Sequence, residues 1–133
     1  MSEHALAAGT TFPWHELYVA DAAAGKAFYE GTLGWESTDY DMGEMGTYPM
    51  LIANGKPIAG IMGTAGNPEM EGIPPHWAVY IAVADVDATA DTAVSLGGKV
   101  VVPAMDVPTV GRMCLLQDPQ GAHFWMYKAA SPE

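Results

Sequence analysis

Apolar and polar residues alternate through most of this chain, and two Ala-rich stretches interrupt the pattern. Pro13 to Ala20 has a period of two, with Leu17 and Val19 on one face and Trp14, Glu16 and Tyr18 on the other, which predicts a strand. Asp21 is a suitable N-cap for an Ala-rich helix over Ala22 to Thr32, and Gly34 stops it. Trp35 to Met42, Thr47 to Ala53 and Pro57 to Met62 predict three further strands, the last two joined by an Asn54-Gly55 hairpin turn. Gly63 to Pro75 is rich in Gly and Pro and reads as a connection. The cycle then recurs. Trp77 to Ala84 predicts a strand, and Asp85 caps a helix running to Leu96. Lys99 to Val102 is a strand closed by Pro103. Gly111 to Gln117 and Ala122 to Lys128 are strands joined at Asp118-Pro119-Gln120-Gly121.

The two halves match in wording as well as in order. Leu17-Tyr18-Val19-Ala20-Asp21 followed by Leu33-Gly34-Trp35 is answered by Ile81-Ala82-Val83-Ala84-Asp85 followed by Leu96-Gly97-Gly98. From Asp to Leu the first interval is twelve residues and the second eleven. Such internal repetition predicts an α+β fold made of two βαβββ modules in one chain, pairing around a shared cavity. The expected boundaries are a flexible leader at 1–11, a first module at 12–63, a linker at 64–75, a second module at 76–128 and a tail at 129–133, in one domain overall.

Composition narrows the partners. The formal charge is -11, from sixteen acidic and five basic residues. Nucleic-acid binding requires a basic footprint, and an anionic membrane surface repels the same charge, so neither is expected. No apolar run approaches the roughly 18 residues of a membrane span. The leader lacks a basic n-region, and the single Cys114 has no intrachain partner and falls on the helix side of its strand, so a cytoplasmic location is expected. Glu36, Asp39, Asp41 and Glu44 lack the spacing of a calcium loop and read as a solvated face.

Asp21, Phe28-Tyr29 and Leu33-Gly34-Trp35 in the first half, with Val83-Ala84-Asp85-Val86-Asp87, Leu96-Gly97-Gly98 and Asp118-Pro119-Gln120-Gly121 in the second, resemble the vicinal oxygen chelate superfamily. That group includes glyoxalase I, bleomycin-resistance proteins, fosfomycin-resistance enzymes and extradiol dioxygenases, and the resemblance covers roughly residues 12 to 128. It implies paired βαβββ modules whose curved sheets enclose a cavity, and homodimers are among its common assemblies. In the family's metal enzymes four inward positions carry the ion, usually as His, Glu, His and Glu. Counted from the shared landmarks, those positions here are Trp14, Gly60, Ala78 and Trp125. None offers an oxygen or imidazole donor, so no cofactor is expected from them.

Strand alternation assigns the remaining inward side chains. Trp14, Glu16 and Tyr18 come from the first strand and Met50 from the third. His76 and Tyr80 come from the fifth, Met113 from the seventh, and His123, Trp125 and Tyr127 from the last. Aromatic rings and thioethers suit a hydrophobic or aromatic small molecule. Glu16, a carboxylate among Trp and Tyr rings, is the candidate catalytic base or acid. His76, His123 and Glu16 form a lesser candidate set for a divalent metal, displaced from the family positions. The leading expectation is therefore a metal-free binding protein. The alternative is a glyoxalase- or dioxygenase-type enzyme of lyase or isomerase chemistry, using that displaced metal site or Glu16 as base.

Overall fold

Two capping aspartates start the two helices. Asp21 Oδ1 accepts from the Ala24 N–H at 3.1 Å and Asp85 Oδ1 from the Ala88 N–H at 3.0 Å, each meeting one of the donors a helix leaves unpaired at its start. The computed structural model describes residues 11–70, 72–108 and 110–130; the expected leader up to residue 10 and residues 131–133 of the expected tail lie outside them. In chain order the elements are β1 (Trp14–Val19), α1 (Ala22–Leu33), β2 (Glu36–Asp41), β3 (Thr47–Ala53), β4 (Lys56–Gly63), β5 (His76–Ala82), α2 (Val86–Ser95), β6 (Lys99–Val107), β7 (Gly111–Gln117) and β8 (His123–Ala129). Short 3-10 turns occupy Gly43–Met45 and Pro68–Met70. The βαβββ pattern expected twice from the sequence is present twice.

The chain forms two compact units. One is His15–Ala78; the other runs from Val79 onward and takes in the stretch that ends at Trp14. In the first unit the strand order is β2-β3-β4-β1, antiparallel except that β1 and β4 are parallel. Asn54 and Gly55 both take positive φ, 54° and 77°, at the turn that joins β3 to β4, as a tight hairpin of this hand requires. The sheet has an apolar face built from Leu17, Leu51, Ala59 and Ile61, against which Val19, Ala22, Tyr29, Trp35 and Ile58 pack. These are the odd-numbered residues of β1 and their register partners, so the alternation read from the sequence sorts the faces correctly.

The second unit repeats the plan with strand order β5-β8-β7-β6 and a parallel β5–β8 pair. Its helix-side core is Val86, Cys114, Leu116 and Met126, joined by Val83, Ala90, Ala93, Ala104 and Phe124. Cys114 lies in this apolar layer, and burial pushes its thiol above the usual range. β6 departs from expectation: it runs through Pro103 to Val107 rather than closing at Val102. The proline is tolerated because β6 is the terminal strand of this order and its ladder with β7 shifts register between Val102 and Met105, where a missing N–H removes no regular bond. Arg112 on β7 joins Asp87 of α2 (2.9 Å) to Asp106 of β6 (3.1 Å) at the surface. Glu36, Asp39, Asp41 and Glu44 are exposed, and Asp41 Oδ1 accepts from the Gly43 N–H.

Met126 is fully buried. Its truncation in Met126→Ala is expected to cost about 2–5 kcal/mol in urea unfolding, the transfer loss plus an unfilled cavity. At the β7–β8 turn Asp118 accepts from the backbone N–H groups of Ala122 and Gln120, which hold its carboxyl below the usual value of 3.8. A lowered folded-state value means stability that is present above 3.8 and lost as pH falls through the folded value. The stability difference between wild type and Asp118→Asn, followed by thermal unfolding, should therefore be largest near neutrality and shrink in acid.

Candidate functional site

Strand register brings one face of the first unit into a single row. Glu16 on β1 stands opposite Gly60 on β4, Gly60 opposite Met50 on β3, and Met50 opposite Thr38 on β2. Tyr48 is two residues from Met50 and Tyr18 two from Glu16, so both share that face. The face is turned away from the helix-side core, and it carries a buried charge: Glu16 is only 3% exposed.

Two phenols hold the carboxylate. The Tyr18 hydroxyl donates to Glu16 Oε1 at 2.8 Å and the Tyr48 hydroxyl to Oε2 at 2.5 Å. These are charge-assisted bonds, one to each oxygen, and they offset the desolvation that an ionised carboxylate meets on burial. Tyr48 reaches its position across Gly60. A Cβ on Gly60 would lie 1.6 Å from the Tyr48 hydroxyl and 2.0 Å from the ring carbon that bears it. The phenol thus fills the volume that any side chain at this position would need.

Tyr18 has a second partner. Its ring stacks on the His76 imidazole with centroids 5.0 Å apart and planes 4° from parallel, while His76 Nδ1 lies 2.8 Å from the Pro74 carbonyl oxygen. Tyr18 is buried and His76 exposed. The sequence candidates Glu16, Tyr18, Met50 and His76 therefore share one unit, with Glu16, Tyr18 and His76 linked by direct contacts. Trp14 is half-buried at the start of β1.

The corresponding face of the second unit is aromatic. Tyr80 and Trp125 are register partners and stack at 5.4 Å with planes 6° apart. Tyr127 meets Tyr80 edge-on at 6.3 Å, and its hydroxyl donates to the Val110 carbonyl at 2.6 Å. Burial pushes the Tyr127 phenol above its usual range. Met113 is the register partner of Tyr127 and is also buried. Tyr80, Met113, Trp125 and Tyr127 are thus brought together, whereas His123 is exposed at the start of β8 opposite Gln117.

Tyr48 is the residue that sequence reasoning missed. Its signal was present: it precedes Met50 by two on the same strand, so placing Met50 inward places Tyr48 inward as well. What the sequence does not display is the glycine two strands' width from Thr38 that lets the ring lie flat across the sheet.

A model of the Glyoxalase/Bleomycin resistance protein/Dioxygenase superfamily matches residues 11–126, and the chain belongs to that superfamily, with the small-molecule-binding character it carries. Among curated proteins it is similar to the putative glyoxylase CFP32 of Mycobacterium tuberculosis (strain CDC 1551 / Oshkosh), 39% identical over 120 residues that make up 90% of this chain and 44% of that protein. It is also similar to the anthracycline biosynthesis protein DnrV of Streptomyces peucetius, 32% identical over 126 residues, covering 86% of this chain and 46% of that one. The chain spans less than half the length of these relatives. Solved structures of like fold include methylmalonyl-CoA epimerase from Mycobacterium tuberculosis, with TM-score 0.60, 19% identity and coverage of 92% of this chain and 89% of that chain. A Streptomyces coelicolor methylmalonyl-CoA epimerase variant in complex with 2-nitronate-propionyl-CoA has TM-score 0.63 and 21% identity, covering 92% and 99%.

These comparisons correct the cofactor expectation. Several of the solved neighbours are epimerases, in a superfamily whose members include metal enzymes, and the reading of this chain as one without a cofactor is withdrawn. The residues at the family's four positions nevertheless do not fit an ion. Trp14, Ala78 and Trp125 bring no donor, and the side-chain volume of Gly60 is filled by the Tyr48 phenol. Among the described residues no group of three or more His, Cys, Asp or Glu is disposed to hold a metal. Among the described residues no helix is long and apolar enough to cross a membrane.

The close approach at Gly60 has a measurable consequence. Gly60→Ala should displace the Tyr48 ring and destabilise the protein by about 1–3 kcal/mol, as overpacking does. Chemical denaturation measures the loss, and the Tyr48 ring resonances in NMR should move with it.

Proposed function

We propose that this chain is an enzyme of the superfamily's isomerase or lyase type, acting on a small organic molecule by moving a proton from a carbon next to a carbonyl, with Glu16 as the base. The observation that carries this reading is the buried Glu16 carboxylate gripped at each oxygen by a phenol. A purely structural layer would fill that place with an apolar residue, because a buried charge is costly even when well paired. Buried carboxyl groups held by hydrogen bonds are also groups that enzymes use for proton transfer. In the step proposed, the carbon–hydrogen bond breaks, its proton passes to a Glu16 oxygen, and the electron pair moves onto the substrate carbonyl oxygen. Return of the proton to the same or a neighbouring carbon completes an epimerisation or isomerisation. The epimerase neighbours and the glyoxylase relative support this class of chemistry.

The second unit supports a further reading of its own. The buried Tyr80–Trp125 stack, with Tyr127 and Met113 beside it, is an aromatic environment suited to a flat aromatic molecule. The relative named for anthracycline biosynthesis lends weight to an aromatic ligand. The net charge of -11 favours a small neutral or cationic ligand over nucleic acid or an anionic membrane, and fits a cytoplasmic protein. Pairing with a second copy of the chain is part of the same proposal.

The test is proton exchange. The protein, purified without chelator and with its metal content measured, is incubated in D2O with methylmalonyl-CoA and separately with the hemithioacetal of methylglyoxal and glutathione, each of which carries an acidic carbon–hydrogen bond. Deuterium entry, read by proton NMR, should occur on at least one probe and fall on the order of 10²–10⁴-fold in Glu16→Gln. Exchange that is equal in wild type and Glu16→Gln would end the assignment of Glu16 as base.

A further inference from the structure

We propose that the outer face of α1, together with Trp77, is the surface through which two copies of this chain pair. The proposal rests on the pairing included in the functional reading and names the surface for it. Its residues all lie in the unit His15–Ala78. Phe28 is 59% exposed, Leu33 50% and Trp77 41%. The rings are joined into one patch. Phe28 meets Tyr29 edge-on at 5.0 Å, Tyr29 meets Trp77 edge-on at 5.3 Å, and the Trp77 indole N–H donates to the Tyr29 hydroxyl at 3.3 Å. The patch is therefore ordered before any partner arrives. Exposed aromatic rings held in place in this way are the anchors of protein–protein contacts.

The charge pattern of α1 selects the occupant. The chain carries sixteen acidic and five basic residues, yet the exposed positions of α1 hold only Ala, Gly, Phe, Thr and Leu. The charged residues of this helix, Lys26 and Glu30, are half-buried, and Glu30 accepts from the Ser37 hydroxyl. The helix of the other repeat differs: α2 exposes Asp87 and Asp91, as a solvated helix does. In a two-fold pair each residue near the axis meets its own copy, so an acid there would face an acid. A copy of net charge -11 therefore approaches another most readily over a surface free of carboxylates. A basic partner would call for the reverse, acids at the contact. Gly31 agrees with a second copy. Glycine inside a helix weakens it, and a Cβ at this position would meet nothing within 4 Å in the chain itself. Nothing in the chain requires its small size, whereas a second helix packed over Phe28 and Gly31 does. A contact made by one short helix and an indole falls below the roughly 1,200 Å² of a standard interface, so the pair is weak and reversible, with a Kd in the micromolar range or above.

The test is sedimentation velocity on the full chain, from about 1 µM to about 1 mM, at roughly 0.15 M salt to screen long-range repulsion. The wild type should pass from monomer to dimer as concentration rises. Phe28→Ala should raise the Kd about 10-fold. Gly31→Glu, which has room for its side chain and sets a carboxylate on the patch, should abolish the dimer. Ala88→Glu adds the same charge to the exposed side of α2 and should leave the dimer unchanged. Thermal unfolding shows that each variant is folded, and Gly31→Glu alone decides the matter if Phe28→Ala does not fold. A wild type that stays monomeric at every concentration overturns the proposal and leaves the face to a different partner. A dimer that persists in Gly31→Glu, or that is lost equally in Ala88→Glu, overturns it as well. Its failure is distinct from that of the assignment of Glu16: a monomeric chain that exchanges deuterium ends the pairing and keeps the base, and a dimer that exchanges none does the opposite.

Discussion

A carboxyl group leaves water at low cost only if other groups replace the water's hydrogen bonds, and in this protein that requirement falls on Glu16. Its two oxygens are met by two phenols from two strands. Much of the first unit's polar face is arranged around that fact. The parallel β1–β4 register sets Glu16 opposite a glycine, the glycine admits the Tyr48 ring, and Tyr18 is in turn backed by the His76 imidazole. Removing either phenol leaves a buried acceptor short of a donor, which costs about 1–3 kcal/mol where the group stays buried. The arrangement is therefore sensitive at residues 16, 18, 48 and 60 in a way that the apolar face is not.

Each sheet divides its labour between two faces. The helix side is an apolar layer of Leu17, Leu51, Ala59 and Ile61 in one unit and of Val86, Cys114, Leu116 and Met126 in the other. These layers give the units their stability through burial of apolar surface. The opposite faces hold the chemistry-bearing groups: a carboxylate with two phenols in the first unit, and a stack of Tyr80 on Trp125 in the second. One repeated fold unit thus carries two different faces, a carboxyl with two phenols in one copy and stacked aromatic rings in the other.

The fold was legible because its signals are local. Period-two alternation, Asp21 and Asp85 at helix starts, and Asn54-Gly55 at a hairpin each act within a few residues, and strand faces follow directly from alternation. Pro103 misled because a proline reads as a strand stop unless the strand is known to be terminal in its sheet, and strand order is not written locally. The site was half legible for the same reason. Alternation alone places Glu16 with Tyr18, and Trp125 with Tyr127, on the strand faces opposite the apolar cores. What the Tyr48 hydroxyl touches was not legible, because it meets Glu16 across Gly60 only once β3 and β4 have paired. The cofactor expectation rested on the four family positions alone, and the likeness in fold to solved epimerases stands against it.

The superfamily is defined by its fold, while its chemistry is set by what stands on the inward faces. Here the fourth-strand position is a glycine and the Tyr48 phenol of the neighbouring strand occupies its side-chain space, next to Glu16, two residues beyond Trp14 on the first strand. A high-resolution crystal structure of the full chain is the most direct measurement of this account. It should show the Tyr18 and Tyr48 hydroxyls on separate oxygens of an enclosed Glu16, with the Tyr48 ring lying across Gly60. A Glu16 side chain turned to solvent, or a Tyr48 ring swung away from Gly60, would contradict it.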